Sequence, residues 1–175
     1  MDRRERREQC EQCEHAQAQR RLAAPAEAVF DFLDDPRRLV AHMARPTLMM
    51  AYATLRLELD AGGGRAVGSV MRLRGRFLAW PLEVDEAVVE RQPPRHKAWQ
   101  TLGSPRLIVL AGYRMGFDVE DCAGGSHVTI WIDYAVPRRG LPALLGRWLG
   151  AAYARWCVDR MMHDAARHFG ELAAA

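Results

Sequence analysis

The sequence contains no asparagine, one lysine (Lys97), three serines (Ser69, Ser104 and Ser126) and four cysteines. Each shortage removes a class of chemistry. Without asparagine there is no N-glycosylation acceptor. Schiff-base catalysis would have to use Lys97, which stands in the charged run Arg95-His96-Lys97 and is expected outside any apolar pocket. Acyl transfer through serine lacks a G-x-S-x-G elbow, and Ser126 follows a Gly-Gly pair that reads as a turn. Cys10 and Cys13 beside His15 supply only half of a four-ligand zinc site, and Cys122 and Cys157 stand alone. His163 and His168 lie about 140° apart around a helix and cannot converge on one ion. No metal and no cofactor is therefore expected. No run of about 18 apolar residues is present to span a membrane. The N-terminal stretch has no apolar signal segment, so a cytoplasmic location with reduced thiols is the expectation.

What is present is enough for a core. The chain has 175 residues, 49% of them apolar, which suits one globular domain without staples. The net charge of +3 is carried by arginine, but the first 21 residues set six Arg against five Asp or Glu. That near balance argues against a nucleic-acid-binding arm. Residues 1–14 read as a flexible charged tail, and residues 15–175 as a single domain.

Along that domain the periodicity changes three times. Residues 15–23 alternate weakly as a strand. Pro25 then suits the first turn of a helix whose face is Val29, Phe30 and Leu33. Asp34-Asp35-Pro36 ends it and starts a second helix from Pro36 to about Met43, with Asp35 as its N-cap. Strand alternation follows at Leu55–Leu59, Met71–Phe77, Leu82–Arg91, His96–Leu102, Arg106–Glu120 and His127–Val136. Gly62-Gly63-Gly64 joins two of these patterns, so it reads as a hairpin turn and not a phosphate loop. From Leu141 to about Ala173 the period is helical. Leu144, Trp148, Ala151, Val158, Met162, Ala165 and Phe169 form one apolar stripe, and Leu145, Leu149, Ala152 and Trp156 a second.

The segment Ala24-Pro25, Val29, Phe30, Leu33, Asp35-Pro36 resembles the opening of the START-like (SRPBCC) superfamily, which includes polyketide cyclase/dehydrase-like and birch-pollen-allergen-type proteins. The stretches VVERQPPRHKAWQ and GGSHVTIWIDYAVP fit the same pattern. The resemblance implies an α+β helix-grip fold, a curved antiparallel sheet of about seven strands around a long C-terminal helix. It also implies a cavity between sheet and helix that takes a hydrophobic small molecule or lipid. No catalytic motif accompanies it.

The candidate ligand-binding residues are Phe77, Trp99, Tyr113, Phe117, Tyr134, Trp148, Arg155 and His163. The aromatics are candidates because an apolar cavity with a few hydroxyls suits a flat or greasy molecule; the alternative for each is plain core packing. Arg155, Asp159 and His163 are read either as a polar anchor with His163 as acid or base, or as an ion pair at the rim with Arg155 turned outward. The leading function is binding or carriage of a hydrophobic small molecule or lipid. The alternatives are an aromatase/cyclase-type enzyme and a membrane-associated interaction module. For the second helical stripe, the open partners are an anionic membrane, a second subunit of a homodimer, or cover by the chain's own loops.

Overall fold

A computed structural model describes residues 13–40, 54–77, 80–107, 109–137 and 140–172; the side chains of 54–55, 77, 80, 140–145 and 147–148 fall outside that description. The element order is β1 (Glu14–Leu22), α1 (Ala26–Asp34), α2 (Pro36–Leu39), β2 (Thr54–Leu59), β3 (Val70–Phe77), β4 (Trp80–Gln92), β5 (His96–Thr101), β6 (Gly112–Cys122), β7 (Gly125–Ala135) and α3 (Gly140–Phe169). The strands form one seven-stranded antiparallel sheet in the order β1-β7-β6-β5-β4-β3-β2. The expected helix-grip architecture is what the chain adopts.

Local chemistry sets the turns. Pro25 occupies the N-cap of α1, one position before the first turn, and its carbonyl accepts the Val29 N–H at 3.2 Å. Asp35 caps α2 as expected, its carboxylate accepting the Arg37 N–H at 3.0 Å. The long sixth strand is shorter than the alternation suggested. Before it, Arg106 bridges to Glu83, Leu110 is buried in the core, and the Ala111 N–H donates to the Ala135 carbonyl at 2.7 Å. Cys13 is disulfide-bonded, against the expectation of reduced thiols, while Cys122 and Cys157 are free.

The inner face of the sheet carries Met71, Val84, Val88, Trp99, Phe117, Ile130 and Ile132 against Val29, Phe30 and Leu33 of α1. Helix α3 lies along β1 and β7 and contributes Ala154, Val158, Met161, Met162 and Ala165. Its second half matches the expected stripe; Ala151 does not. Ala151 is exposed, and the buried line runs Gly146, Gly150, Ala154. A Cβ on Gly146 would stand 2.9 Å from the Val109 carbonyl oxygen, and one on Gly150 3.2 Å from Val136 Cγ1. The helix reaches the sheet there through backbone, which hydrophobic patterning cannot register. Gly170, at φ +79°, ends the helix.

On the outer face, Trp131 lies across Gly116 and its indole N–H donates to Asp118 at 2.9 Å. A Cβ on Gly116 would come within 2.6 Å of both Trp131 Cζ2 and the Lys97 carbonyl oxygen. Gly116→Ala is expected to destabilise the protein by about 2 kcal/mol, since the carbonyl cannot yield and the indole must. Urea denaturation checks this; an unchanged midpoint would mean that the ring moves freely.

Candidate functional site

Glu86 occupies the apolar phase of β4, between Val84 and Val88, and is 4% exposed. Its neighbours in register are Met71 on β3 and Thr101 on β5. The Tyr113 hydroxyl on β6 donates to its carboxyl, and the Trp99 indole on β5 donates as well. Burial pushes the Glu86 carboxyl up to about 7, and these two donors with the charge of Lys97 only partly offset it. Burial and the adjacent carboxyl together push Tyr113 well above the ordinary phenol range.

Helix α3 supplies the opposite wall. Tyr153 and Cys157, one turn apart, are hydrogen-bonded through their side chains. Interaction with Cys157, then burial, pushes Tyr153 well up, and burial takes the Cys157 thiol up to about 12. The Tyr153 ring stacks on Trp156 at 5.9 Å. Tyr153 lies close enough to Tyr113 to act on it electrostatically, and both tyrosines are half-buried. The arrangement is an apolar wall with one acid, two phenols and a thiol held neutral.

A second buried polar group was also placed differently by the sequence. Lys97 is fully buried on the inner face, with its ammonium donating to the Asp34 carboxylate at 2.7 Å and the Asp34 carbonyl at 3.0 Å. Arg91 donates to both oxygens of the same carboxylate, at 2.8 and 3.2 Å. Burial works against ionisation of Asp34, but the hydrogen bonds from Arg91 and Lys97 win and hold its carboxyl below the usual range. This cluster fastens the C-terminus of α1 to β4 and β5. Lys97 is thus no surface residue, and its nitrogen is committed.

Of the sequence candidates, Trp99, Tyr113, Phe117 and Tyr134 all lie on the inner face. Only Trp99 and Tyr113 reach Glu86. Phe117 packs edge-on against Phe30 at 5.5 Å, and the Tyr134 hydroxyl donates to Glu14 at 2.7 Å. Phe77 lies on β3 and Trp148 on α3, but their side chains are outside the described residues. Arg155 and His163 depart from the reading of a polar anchor. Both are exposed, as is Asp159, and among the described residues no ion pair joins the three. Burial of Gly150 and Ala154 turns Arg155 outward, toward the rim where it acts on the Tyr134 hydroxyl. Arg155→Met is expected to change stability by less than about 0.5 kcal/mol and to leave ligand affinity within about twofold, as thermal melts and a binding titration would show. Among the described residues no cluster of three His, Cys, Asp or Glu side chains is placed to hold a metal.

A curved sheet gripping a C-terminal helix, with an apolar interior that carries a few sequestered polar groups, defines the helix-grip class. Within it, the chain belongs to the family described as polyketide cyclase / dehydrase and lipid transport, whose model matches residues 14–173. Among solved structures it is similar to a protein of Thermus thermophilus, with a TM-score of 0.64 at 15% identity, covering 88% of this chain and 95% of that one. Norcoclaurine synthase from Thalictrum flavum gives 0.62 at 15% identity, covering 89% and 92%. The di-domain ARO/CYC protein BexL of the BE-7585A biosynthetic pathway gives 0.61 at 15% identity, covering 97% of this chain and 54% of that one. Identities this low speak for the fold alone. No curated protein sequence matches the chain.

Proposed function

We propose that this chain binds a hydrophobic small molecule or lipid between the sheet and α3, and carries or presents it. The observation that carries the reading is the group Glu86, Tyr113 and Tyr153, polar side chains set in the apolar interior between the sheet and α3, the two tyrosines half-buried. The family to which the chain belongs points the same way. The test is titration with N-phenyl-1-naphthylamine, whose emission rises in apolar surroundings. Saturable uptake at one molecule per chain is the expected result, and no emission change at any protein concentration would overturn the reading.

An aromatase/cyclase-type enzyme is the second reading, and Glu86 is what favours it. A carboxyl with a pKa of about 7 exchanges protons readily near neutrality, as a general acid or base must. Glu86 and Tyr113 then take the roles first given to His163 and Arg155. The third reading, contact with a membrane or a second subunit, keeps one feature. Leu149 of the second stripe is 48% exposed and Ala152 is exposed with it, so among the described residues nothing covers them. No helix among the described residues is long and apolar enough to cross a membrane.

A further inference from the structure

We infer that the Glu86–Tyr113–Tyr153 cluster selects a neutral apolar ligand bearing a hydroxyl group and excludes carboxylates. This rests on the apolar-pocket reading above and narrows its ligand class. The argument starts from hydrogen-bond capacity. An ionised carboxyl offers about four acceptor sites, and Tyr113 and Trp99 use two of those on Glu86. What remains is acceptor capacity, which calls for a donor on the ligand. Tyr153, on the facing helix, donates its hydroxyl proton to Cys157 and keeps its oxygen as an acceptor. A ligand hydroxyl supplies the donor that the ionised Glu86 carboxyl calls for, whereas an ether or ketone supplies it none.

Charge completes the selection. A carboxylate ligand in an apolar hollow needs a cation, and among the described residues none is free to meet it there. Lys97 is held by Asp34 at 2.7 Å, and Arg91 is held by the same carboxylate at 2.8 Å. Arg155 is exposed at the rim. Glu86 itself repels an anion whenever it is ionised.

The groups that face Glu86 are Met71 from β3, Lys97, Trp99 and Thr101 from β5, Tyr113 from β6, and Tyr153 and Cys157 from α3. Tyr113, Tyr153 and Cys157 stay neutral through the physiological range. Lys97 stays paired. Glu86 alone in this group changes charge near neutrality, being neutral below about 7 and ionised above.

The test titrates the full chain with naphthalene, 2-naphthol and 2-naphthoate at about pH 8 and about pH 6. At the higher pH, 2-naphthol is expected to bind about tenfold more tightly than naphthalene and at least about tenfold more tightly than 2-naphthoate. Acidification recovers part of the 2-naphthoate affinity, because Glu86 becomes neutral while the ligand stays charged. In Glu86→Gln the 2-naphthoate affinity no longer depends on pH. The wild-type comparison stands by itself should the variant fold poorly. The inference is overturned if 2-naphthoate binds as tightly as 2-naphthol at the higher pH, if naphthalene matches 2-naphthol, or if wild-type 2-naphthoate affinity ignores pH. In each of those cases the apolar pocket stands. Failure of all three probes to bind instead overturns the pocket reading.

Discussion

Asp34→Ala is expected to destabilise the protein by ~3–5 kcal/mol, the cost of leaving a buried charge without its partner. Lys97 is 0% exposed, and although the variant keeps the residue-34 carbonyl as an acceptor, it removes the carboxylate that neutralises the ammonium in the core. Arg91 is less affected, because at 26% side-chain exposure it can turn its guanidinium to water. The asymmetry gives a sharp control. Adding Lys97→Met to Asp34→Ala removes the stranded charge and is expected to recover about half of the loss or more. Urea denaturation of the wild type, the two single variants and the double variant closes the cycle. A loss below about 1 kcal/mol for Asp34→Ala would show that water reaches Lys97 and that the cluster is not a sealed fastening.

The second large effect is a dependence of stability on pH that belongs to Glu86. Its carboxyl is raised from 4.5 to about 7 in the folded protein. Between those values the folded state holds a proton that the unfolded state has released, so stability declines as pH rises across the window and levels off above it. At about 1.4 kcal/mol per unit, the decline amounts to ~3 kcal/mol. Other groups slope too. His96 is raised by its hydrogen bond to Asp118 at 2.8 Å and then by Glu90, against its partial burial, so its contribution is complete at low pH and is lost as pH rises through its folded value. Asp34 and Glu90 are lowered, so theirs is lost as pH falls. Subtracting Glu86→Gln from wild type cancels these slopes. The difference between the two proteins is expected to move by ~3 kcal/mol, in favour of the variant, from about pH 4 to about pH 8.5. A flat difference would mean that Glu86 is solvated in the folded state, and its role in selecting a ligand would go with it.

The fold was legible because it is written in periods. Val29, Phe30 and Leu33 mark one helix face, Leu73 and Met71 alternate with arginines, and Ile130 and Ile132 alternate with Thr129, Trp131 and Asp133 on the last strand. The site was harder to read, because its polar residues occupy apolar phases. Glu86 continues the set Leu82, Val84 and Val88; Lys97 shares its face with Trp99; Asp34 lies four residues after Phe30. Each such break was a usable signal, a charge where the period demands a hydrocarbon. Lys97 was instead judged by its charged neighbours His96 and Arg95, which precede it in sequence and are not buried with it. The helix failed for the opposite reason. Gly146, Gly150 and Ala154 have little hydrophobic weight, and their smallness is what brings α3 down onto β7 and Val109. Reading Ala151 as part of the seam turned that part of the helix the wrong way, and so hid Tyr153 and Cys157 while placing Arg155 inside.

The strand order has a consequence for biosynthesis. Within the sheet β1 pairs only with β7, Glu14 opposite Tyr134 and Leu22 opposite Ser126, and Leu22 also bridges to Glu171 beyond the final helix. A ribosome therefore releases the first strand long before anything exists for it to pair with. The hairpins from β2 to β6 can zip as they emerge, but the pairing edge of β1 stays open until β7 clears the exit tunnel, and its apolar side until α3 follows. Nascent chains stalled before residue 140 should thus be held by chaperones and cleaved readily by proteases, and resistance should arrive late and all at once.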